Sequence, residues 1–519
     1  MSLIRASATI GGLTLVSRVF GFVRDMMIAS LLGASMLSDA FLISFKLPNF
    51  MRRLFAEGAF NSAFLPLYAG TLATEGPHVA RKLANEIHAV LVAILVVLTI
   101  LAVIFMPDLM VVLAPGFDSD PRTFHGYRVF DLTVTLTRIT FPYLLFISLV
   151  SLQGGLLNSI DKFAAVAATP IIMNVCLILA MLAVAPFTPT PAHALAVGVM
   201  VSGVTQYLWL LYFCRKAGVS PRFTCPRMTP NVRRLFMLIG PAALGSSVAQ
   251  INLMIDVMIA TLIDNAPSYL YYADRISELP LGVIGIAVST ALLPMLSRQI
   301  REGNTDKAIH SQNRALELSL LFGIPATVAL MVIPYPIITC VYEHGAFGAV
   351  ATDATTRTLV AYAVGLPSFL AVKIFASTFY ANQDTKTPVK IAVVCVCINL
   401  FFNLTLMGPM QYVGLALSTS IAGWVNAIAL GWCLHKRSLF VADTLFRFRL
   451  SRIVVASLVM GAVLLALGVP LAPYFHGHTL PKVLALSLLI GGGGLAYGAC
   501  LLALRVIKPS ELKGYLKRG

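Results

Sequence analysis

The chain of 519 residues is 58% hydrophobic and only 12% charged, with 38 Lys and Arg against 22 Asp and Glu. A soluble domain carries about 25% charged residues, so a string of soluble domains is excluded. Continuous apolar runs such as 90–106, 171–185 and 453–467 also exclude the alternating strands of an outer-membrane barrel, which leaves an all-α polytopic membrane protein.

In chain order, fourteen transmembrane helices are expected, at 8–32, 36–68, 84–113, 132–157, 163–186, 193–214, 236–263, 267–297, 315–339, 357–381, 388–407, 412–434, 451–471 and 482–505. Residues 1–14 lack the basic segment and small-residue cleavage site of a secretion signal, so the first span is expected to be retained. The second run is the least uniform, holding Asp39, Lys46, Arg52, Arg53 and Glu57. With both termini cytoplasmic, 26 of the 38 cations fall in inner segments and four (Arg122, Arg128, Arg357 and Lys482) in outer ones. One miscounted span would invert everything after it, so this bias sets the orientation. The net charge of +16 therefore reads mainly as topology and gives no support to a nucleic-acid partner.

Motifs of soluble enzymes are missing: the chain has no CxxC, HExxH, GxxxxGK[ST] or GxSxG. Cys176, Cys395, Cys397, Cys433 and Cys500 lie in apolar runs, where a thiol acts as a small hydrophobe. The glycine run at 491–494 suits close helix packing. No cofactor is expected.

The chain resembles itself at an offset of about 220–231 residues. Met27-Ile-Ala-Ser-Leu-Leu32 matches Met258-Ile-Ala-Thr-Leu-Ile263. Leu195-Ala196, Gly203 and Gln206 match Leu415-Ala416, Gly423 and Asn426 at the same spacing, and Pro142 and Asp161-Lys162 have looser counterparts in Pro367 and Asp384/Lys386. An even number of spans separates the copies, so they are parallel repeats about an axis along the membrane normal. The expected layout is two pseudo-symmetric six-helix lobes around a central cavity plus two extra C-terminal helices. By residue, that is an N-terminal lobe at 1–215, a cytoplasmic linker at 216–235, a C-terminal lobe at 236–437, and two added helices with a basic tail at 438–519. Such a cavity favours alternating access over a fixed pore.

Eight cations remain inside the spans: Arg18, Arg24, Lys46, Arg52, Arg53, Arg138, Arg275 and Lys373. Each costs roughly 2.5–3.5 kcal/mol on insertion scales and so needs a partner or a function. Arg138 is near the outer end of its span, where snorkelling suffices; Lys373 is deeper and is open to either reading. Arg18 and Asp25 share a helical stripe beside Arg24, and Asp39, Lys46 and Arg53 recur at intervals of seven with Asn49 and Arg52 adjacent. Pro48 is expected to kink this helix. Residues 18–57 hold five bases against Asp25, Asp39 and Glu57, and an excess of guanidinium groups suits a phosphate, to which Arg donates two parallel hydrogen bonds. Farther on, Arg275 and Glu278 can pair along one helix face beside Asp274, for structure or for gating. Asp256, Asn399, Asn403 and Thr419 could hold Na⁺ if they converge, although a plain interhelical hydrogen-bond network is the favoured reading.

Several segments together resemble the MurJ/MviN lipid II flippases of the multidrug/oligosaccharidyl-lipid/polysaccharide exporter superfamily. They are Ser17-Arg-Val-Phe-Gly-Phe-Val-Arg-Asp25, Asp39-Ala-Phe with Lys46-Leu-Pro-Asn49, Arg52-Arg53-Leu-Phe-Ala-Glu-Gly-Ala-Phe60, Tyr271-Tyr-Ala-Asp-Arg275 and Asn382-Gln-Asp-Thr-Lys-Thr-Pro388. The resemblance runs over essentially the whole chain. It implies a multi-pass transporter of the bacterial inner membrane that moves undecaprenyl-pyrophosphate-linked disaccharide-pentapeptide to the periplasmic leaflet for peptidoglycan synthesis, with 438–519 supplying a lipid-tail groove and with cell-wall synthesis proteins as expected partners besides lipid II and membrane lipids. The family's important positions match as Arg18, Arg24, Asp39, Arg52, Arg53, Arg275 and Glu278, with Lys46 and Asn49 in the same motif. Asp25, Asp39, Glu57, Asp274 and Glu278 are then expected to pair with or gate these cations. The coupling ion (Na⁺, H⁺ or Cl⁻) is left open. The alternatives are an exporter of another polyprenyl-linked glycan or of drugs, and a membrane enzyme acting on the same pyrophosphate.

Overall fold

A computed structural model describes residues 3–53 and 60–506. It divides into two compact units, Met1–Ser268 with Gly345–Phe347, and Tyr269–His344 with Gly348–Gly519. Nearly every described residue is helical.

The first unit contains α1 (Leu3–Leu32), α2 (Met36–Met51), α3 (Asn61–Thr74), α4 (Pro77–Ile104), α5 (Met106–Leu113) and α6 (Pro115–Asp118). A two-stranded hairpin, Thr123–Phe124 against Tyr127–Arg128, leads into α7 (Val129–Thr140) and α8 (Tyr143–Asn158). There follow α9 (Phe163–Ala167), α10 (Thr169–Leu179), α11 (Pro191–Lys216) and α12 (Pro230–Ala260). Proline opens α4, α11 and α12, where its missing N–H would be unpaired anyway, and the Thr229 hydroxyl caps α12 by accepting from Val232 N at 3.4 Å. Phe60, Phe64, Tyr68, Leu83, Ile87, Leu152 and Leu156 form a buried core joining α3, α4 and α8.

After α13 (Ala266–Pro280), which begins in the first unit, the second unit holds α14 (Ile286–Arg301), α15 (Thr305–Val332), α16 (Pro334–Val341), α17 (Ala349–Ala381), α18 (Lys386–Lys436), α19 (Thr444–Leu471) and α20 (Thr479–Ala503). The long α18 is two helices meeting at Gln411, whose φ of 49° breaks the path and separates the runs expected at 388–407 and 412–434. Met460, Leu464, Ala485 and Leu489 pack α19 and α20 together and onto Ile333. Their other faces leave Leu458, Leu465, Leu488 and Leu495 exposed, as a lipid-facing surface requires.

Among the described residues, nine helices are long and apolar enough to cross a membrane, and the longest of them covers two expected spans. The four expected spans that are not among them, at 8–32, 36–68, 236–263 and 267–297, carry interior charge or are interrupted. In the 36–68 run, α2 continues through Pro48 to Met51, Arg52, Arg53 and Phe60 are π-helical, and α3 starts at Asn61. The change from α- to π-helix thus begins one turn after Pro48. A second π-turn, Leu281–Gly285, interrupts the 267–297 run.

Candidate functional site

On α1, burial and hydrogen bonding fix Arg24. Its Nε and Nη2 donate to Asp25 Oδ1 at 3.0 and 2.7 Å, and its Nη1 donates to Asn174 Oδ1 at 2.8 Å. Asn174, on α10, in turn donates to the Ser17 carbonyl at 3.0 Å. The guanidinium plane is therefore held from two sides, and Asp25 is buried beneath it. Arg18 is half-buried six residues earlier and has no hydrogen-bond or ion partner among the described residues.

On α2, Asp39 is fully buried and accepts from Ser268 N at 3.1 Å and from the Ser268 hydroxyl at 2.6 Å. Its other oxygen is 3.6 Å from Arg122 Nη2. Arg122 also grips Asp120 at 2.6 Å, donates to Asn265 Oδ1 at 2.7 Å and approaches Asp264 at 3.8 Å. Burial works against the Arg122 charge, but the hydrogen bond to Asp120 and the surrounding carboxylates outweigh it and hold its proton more tightly than usual. Arg122 and Ser268 are the functional neighbours that sequence reasoning missed. The available signal was the acid itself, since a buried Asp39 demands a donor set.

Lower on α2, Lys46 lies half-buried beside a small gap lined by Met110, Leu113, Met254 and Val257. Asn49 Oδ1 accepts from Arg52 Nε and Nη2 at 3.1 and 2.8 Å, and Arg53 is exposed on the π-turn. Glu57 lies outside the described residues. Both carboxylates of α1 and α2 are therefore committed, Asp25 to Arg24 and Asp39 to Ser268 and Arg122. By count, residues 18–53 hold five cations against these two carboxylates.

In the second unit, Arg275 Nη1 pairs with the exposed Glu278 at 3.1 Å, and its guanidinium lies 4.9 Å from the centre of the Tyr271 ring. Asp274 is half-buried, and its carbonyl accepts from Ser277. Lys373 reaches the Leu281–Gly285 π-turn, where a Cβ on Gly285 would come within 2.9 Å of its Nζ. Asn403 Nδ2 donates to Asn399 Oδ1 at 3.0 Å, and Ser418 donates to Asn403 Oδ1, an interhelical clasp. Thr419 donates instead to the Leu415 carbonyl of its own helix. Asp256 belongs to the first unit, where Asn252 donates to it at 3.3 Å. Arg138 is exposed, with its Nε on the Val103 carbonyl at 3.1 Å.

The Asn382–Pro388 motif forms a compact loop knot. Asp384 accepts from Thr387 N at 3.0 Å, from the Thr387 hydroxyl at 2.6 Å and from Arg437 Nη1 at 2.7 Å. These bonds, led by the Thr387 hydroxyl, hold its carboxyl well below the usual range.

A family model described as "Lipid II flippase MurJ" matches residues 28–485. The chain is 40% identical over 528 residues to a protein of Rhizobium meliloti (strain 1021) named "Probable lipid II flippase MurJ", covering 100% of this chain and 97% of that one. Among solved structures, "Lipid II flippase MurJ, inward closed conformation" matches with a TM-score of 0.79 and 26% identity, over 95% of this chain and 97% of the other. An inward-facing multidrug resistance MATE family transporter of the MOP superfamily matches with a TM-score of 0.66 over 86% and 98%, at 14% identity, a likeness of fold alone.

Proposed function

The chain belongs to the lipid II flippase MurJ family, and from that membership we propose that it is a transporter that carries lipid II across the bilayer by alternating access, with the pyrophosphate held by cations of α1 and α2. The observation that carries the site is the charge balance on these two helices. Residues 18–57 hold five cations, Arg18, Arg24, Lys46, Arg52 and Arg53, against three carboxylates, Asp25, Asp39 and Glu57, so the count by itself leaves a net positive charge. A dianionic pyrophosphate fits such an excess, and Asp25 and Asn174 fix the plane of the Arg24 guanidinium. A site for cationic drugs needs the opposite balance.

The fourteen-span, two-lobe layout with both termini cytoplasmic belongs to the same reading. Its support lies in matching internal packing. Gly203 on α11 meets the Tyr143 ring just after Pro142, and Gly423 on α18 meets the Phe369 ring just after Pro367; a Cβ would fall 2.8 and 2.4 Å from those rings. Repeat-related glycines thus carry the same contact in each unit. Arg275, paired with Glu278 and next to Asp274, serves as a switchable cation, and the apolar outer faces of α19 and α20 suit the polyprenyl tail.

The test is translocation of lipid II by the full chain in proteoliposomes, with Na⁺, H⁺ and Cl⁻ gradients imposed one at a time. Transport of lipid II that is lost in Arg24→Ala, with insertion unchanged, supports the reading. Equal transport by wild type and variant overturns the site, and cleavage of the pyrophosphate in place of transport overturns the function.

A further inference from the structure

Cations in the inner segments differ in how they are neutralised. In 298–314, Arg298 pairs with Glu302 at 2.9 Å, and Arg314 pairs with Glu317 and Asp443. In 436–452, Arg437 pairs with Asp384 at 2.7 Å, Arg449 pairs with Glu317 at 2.6 Å, and Arg452 donates to the Leu504 carbonyl. The segment 215–234 is different. It holds Arg215, Lys216, Arg222, Arg227, Arg233 and Arg234 and no acid, and among the described residues none of these side chains makes an ion pair or a hydrogen bond.

This segment is also pinned in place. Arg222 N donates to Asn85 Oδ1 at 2.7 Å, the Thr224 hydroxyl to the Asn85 carbonyl at 3.3 Å, and the Thr229 hydroxyl to Glu86 at 2.8 Å. The Phe223 ring meets His88 edge-on at 4.8 Å. These contacts lay the strap across the start of α4, and the carboxylate they reach, Glu86, is occupied by Thr229. Phe223 is nevertheless 73% exposed and Met228 64% exposed, alternating with Arg222 and Arg227. The strap begins where α11 ends and finishes where α12 starts, so both of its ends are tied to membrane spans.

We propose that residues 215–234 form a docking strap for the anionic phospholipid headgroups of the adjacent leaflet, with the cations on lipid phosphates and Phe223 and Met228 in the interfacial layer. Charge complementarity selects the partner: a polybasic segment at the end of a span attracts an anionic surface, and exposed apolar side chains gain by entering the interfacial layer. Position selects lipid over a soluble anion, since the tethered strap meets headgroups at all times while its exposed apolar side chains have no use for free phosphate.

The experiment uses the full chain in phosphatidylcholine vesicles, with Trp209, Trp424 and Trp432 replaced by Phe and Phe223→Trp as the sole indole. Trace acyl-brominated phosphatidylglycerol is expected to quench this indole at least about threefold more per mole than brominated phosphatidylcholine, an effect that weakens with salt. Adding Arg215→Gln, Lys216→Gln, Arg222→Gln and Arg227→Gln is expected to remove the preference. If that variant fails to insert, Arg222→Gln with Arg227→Gln is expected to reduce the preference by itself. Equal quenching by both lipids, quenching by neither, or a preference that survives loss of the charges overturns the proposal. So does loss of the preference on adding millimolar inorganic phosphate at constant ionic strength, which would mark a site for free phosphate.

Discussion

Arg24 separates charge from geometry. Its three donors reach Asp25 and Asn174 in one plane, and a lysine ammonium at the same position cannot span both. Arg24→Lys is therefore expected to lower lipid II translocation at least about tenfold while the protein inserts normally, measured in proteoliposomes. Wild-type transport by this variant would mean that charge alone matters. Asp39 gives a second residue-scale prediction. Its burial against Ser268 and Arg122 makes the acid and the base interdependent, so a double-mutant cycle of Asp39→Asn and Arg122→Gln on thermal unfolding should show coupling of about 1–3 kcal/mol. Asp384 adds a pH dependence. Its folded-state pKa is depressed, so its contribution is fully present above the ordinary carboxylate range and is lost as pH falls through the depressed value. Asp384→Asn should cost about 1 kcal/mol at neutral pH and flatten the acid limb of a stability profile. The excess of cations on 18–57 was legible in sequence. The partner of Asp39 was not, because Arg122 reaches it only through the path of the loop between α6 and the hairpin, which no local pattern encodes.

At the level of elements, hydropathy located the apolar runs because burial in lipid demands about 20 consecutive apolar residues. It did not locate their breaks. The 36–68 run holds a proline that α2 tolerates and then a π-turn at Arg52–Arg53 that no residue type announces, since a π-turn depends on which backbone groups find partners. The kink at Gln411 is likewise a left-handed residue within what reads as the gap between two runs. Small residues at repeat-related positions were legible as a pattern, but their contacts were not. Gly203 and Gly423 each admit an aromatic ring closer than a Cβ allows, at 2.8 and 2.4 Å. Gly203→Val and Gly423→Val should each destabilise the protein by about 1–3 kcal/mol through overpacking, read as a lowered melting temperature in detergent. Gly498→Val, where a Cβ meets nothing within 4 Å, is the matched control and should be near neutral.

Over the whole molecule, polarity is distributed by role. Ten of the fourteen expected spans fall on helices apolar enough to cross a membrane by composition alone. The other four carry Arg18, Arg24, Asp25, Asp39, Lys46, Arg52, Arg53, Glu57, Asp256, Asp274, Arg275 and Glu278, all of the charged candidates. Lipid penalises an unpartnered charge, so helices that keep several of them must spend that polarity on each other or on a substrate. The same reasoning extends to the loops, where the proposed orientation puts 26 cations in inner segments against four in outer ones. Cys225 tests this directly, being exposed in the strap between α11 and α12. With the other seven cysteines replaced by Ala, a membrane-impermeant maleimide should leave Cys225 unlabelled in intact cells and label it after permeabilisation. A cysteine introduced at exposed Asp353, ahead of the 357–381 span, should show the reverse. The two sites lie an odd number of expected spans apart, so equal labelling of both in intact cells would remove a span from the count and, with it, the split of the cations between inner and outer segments.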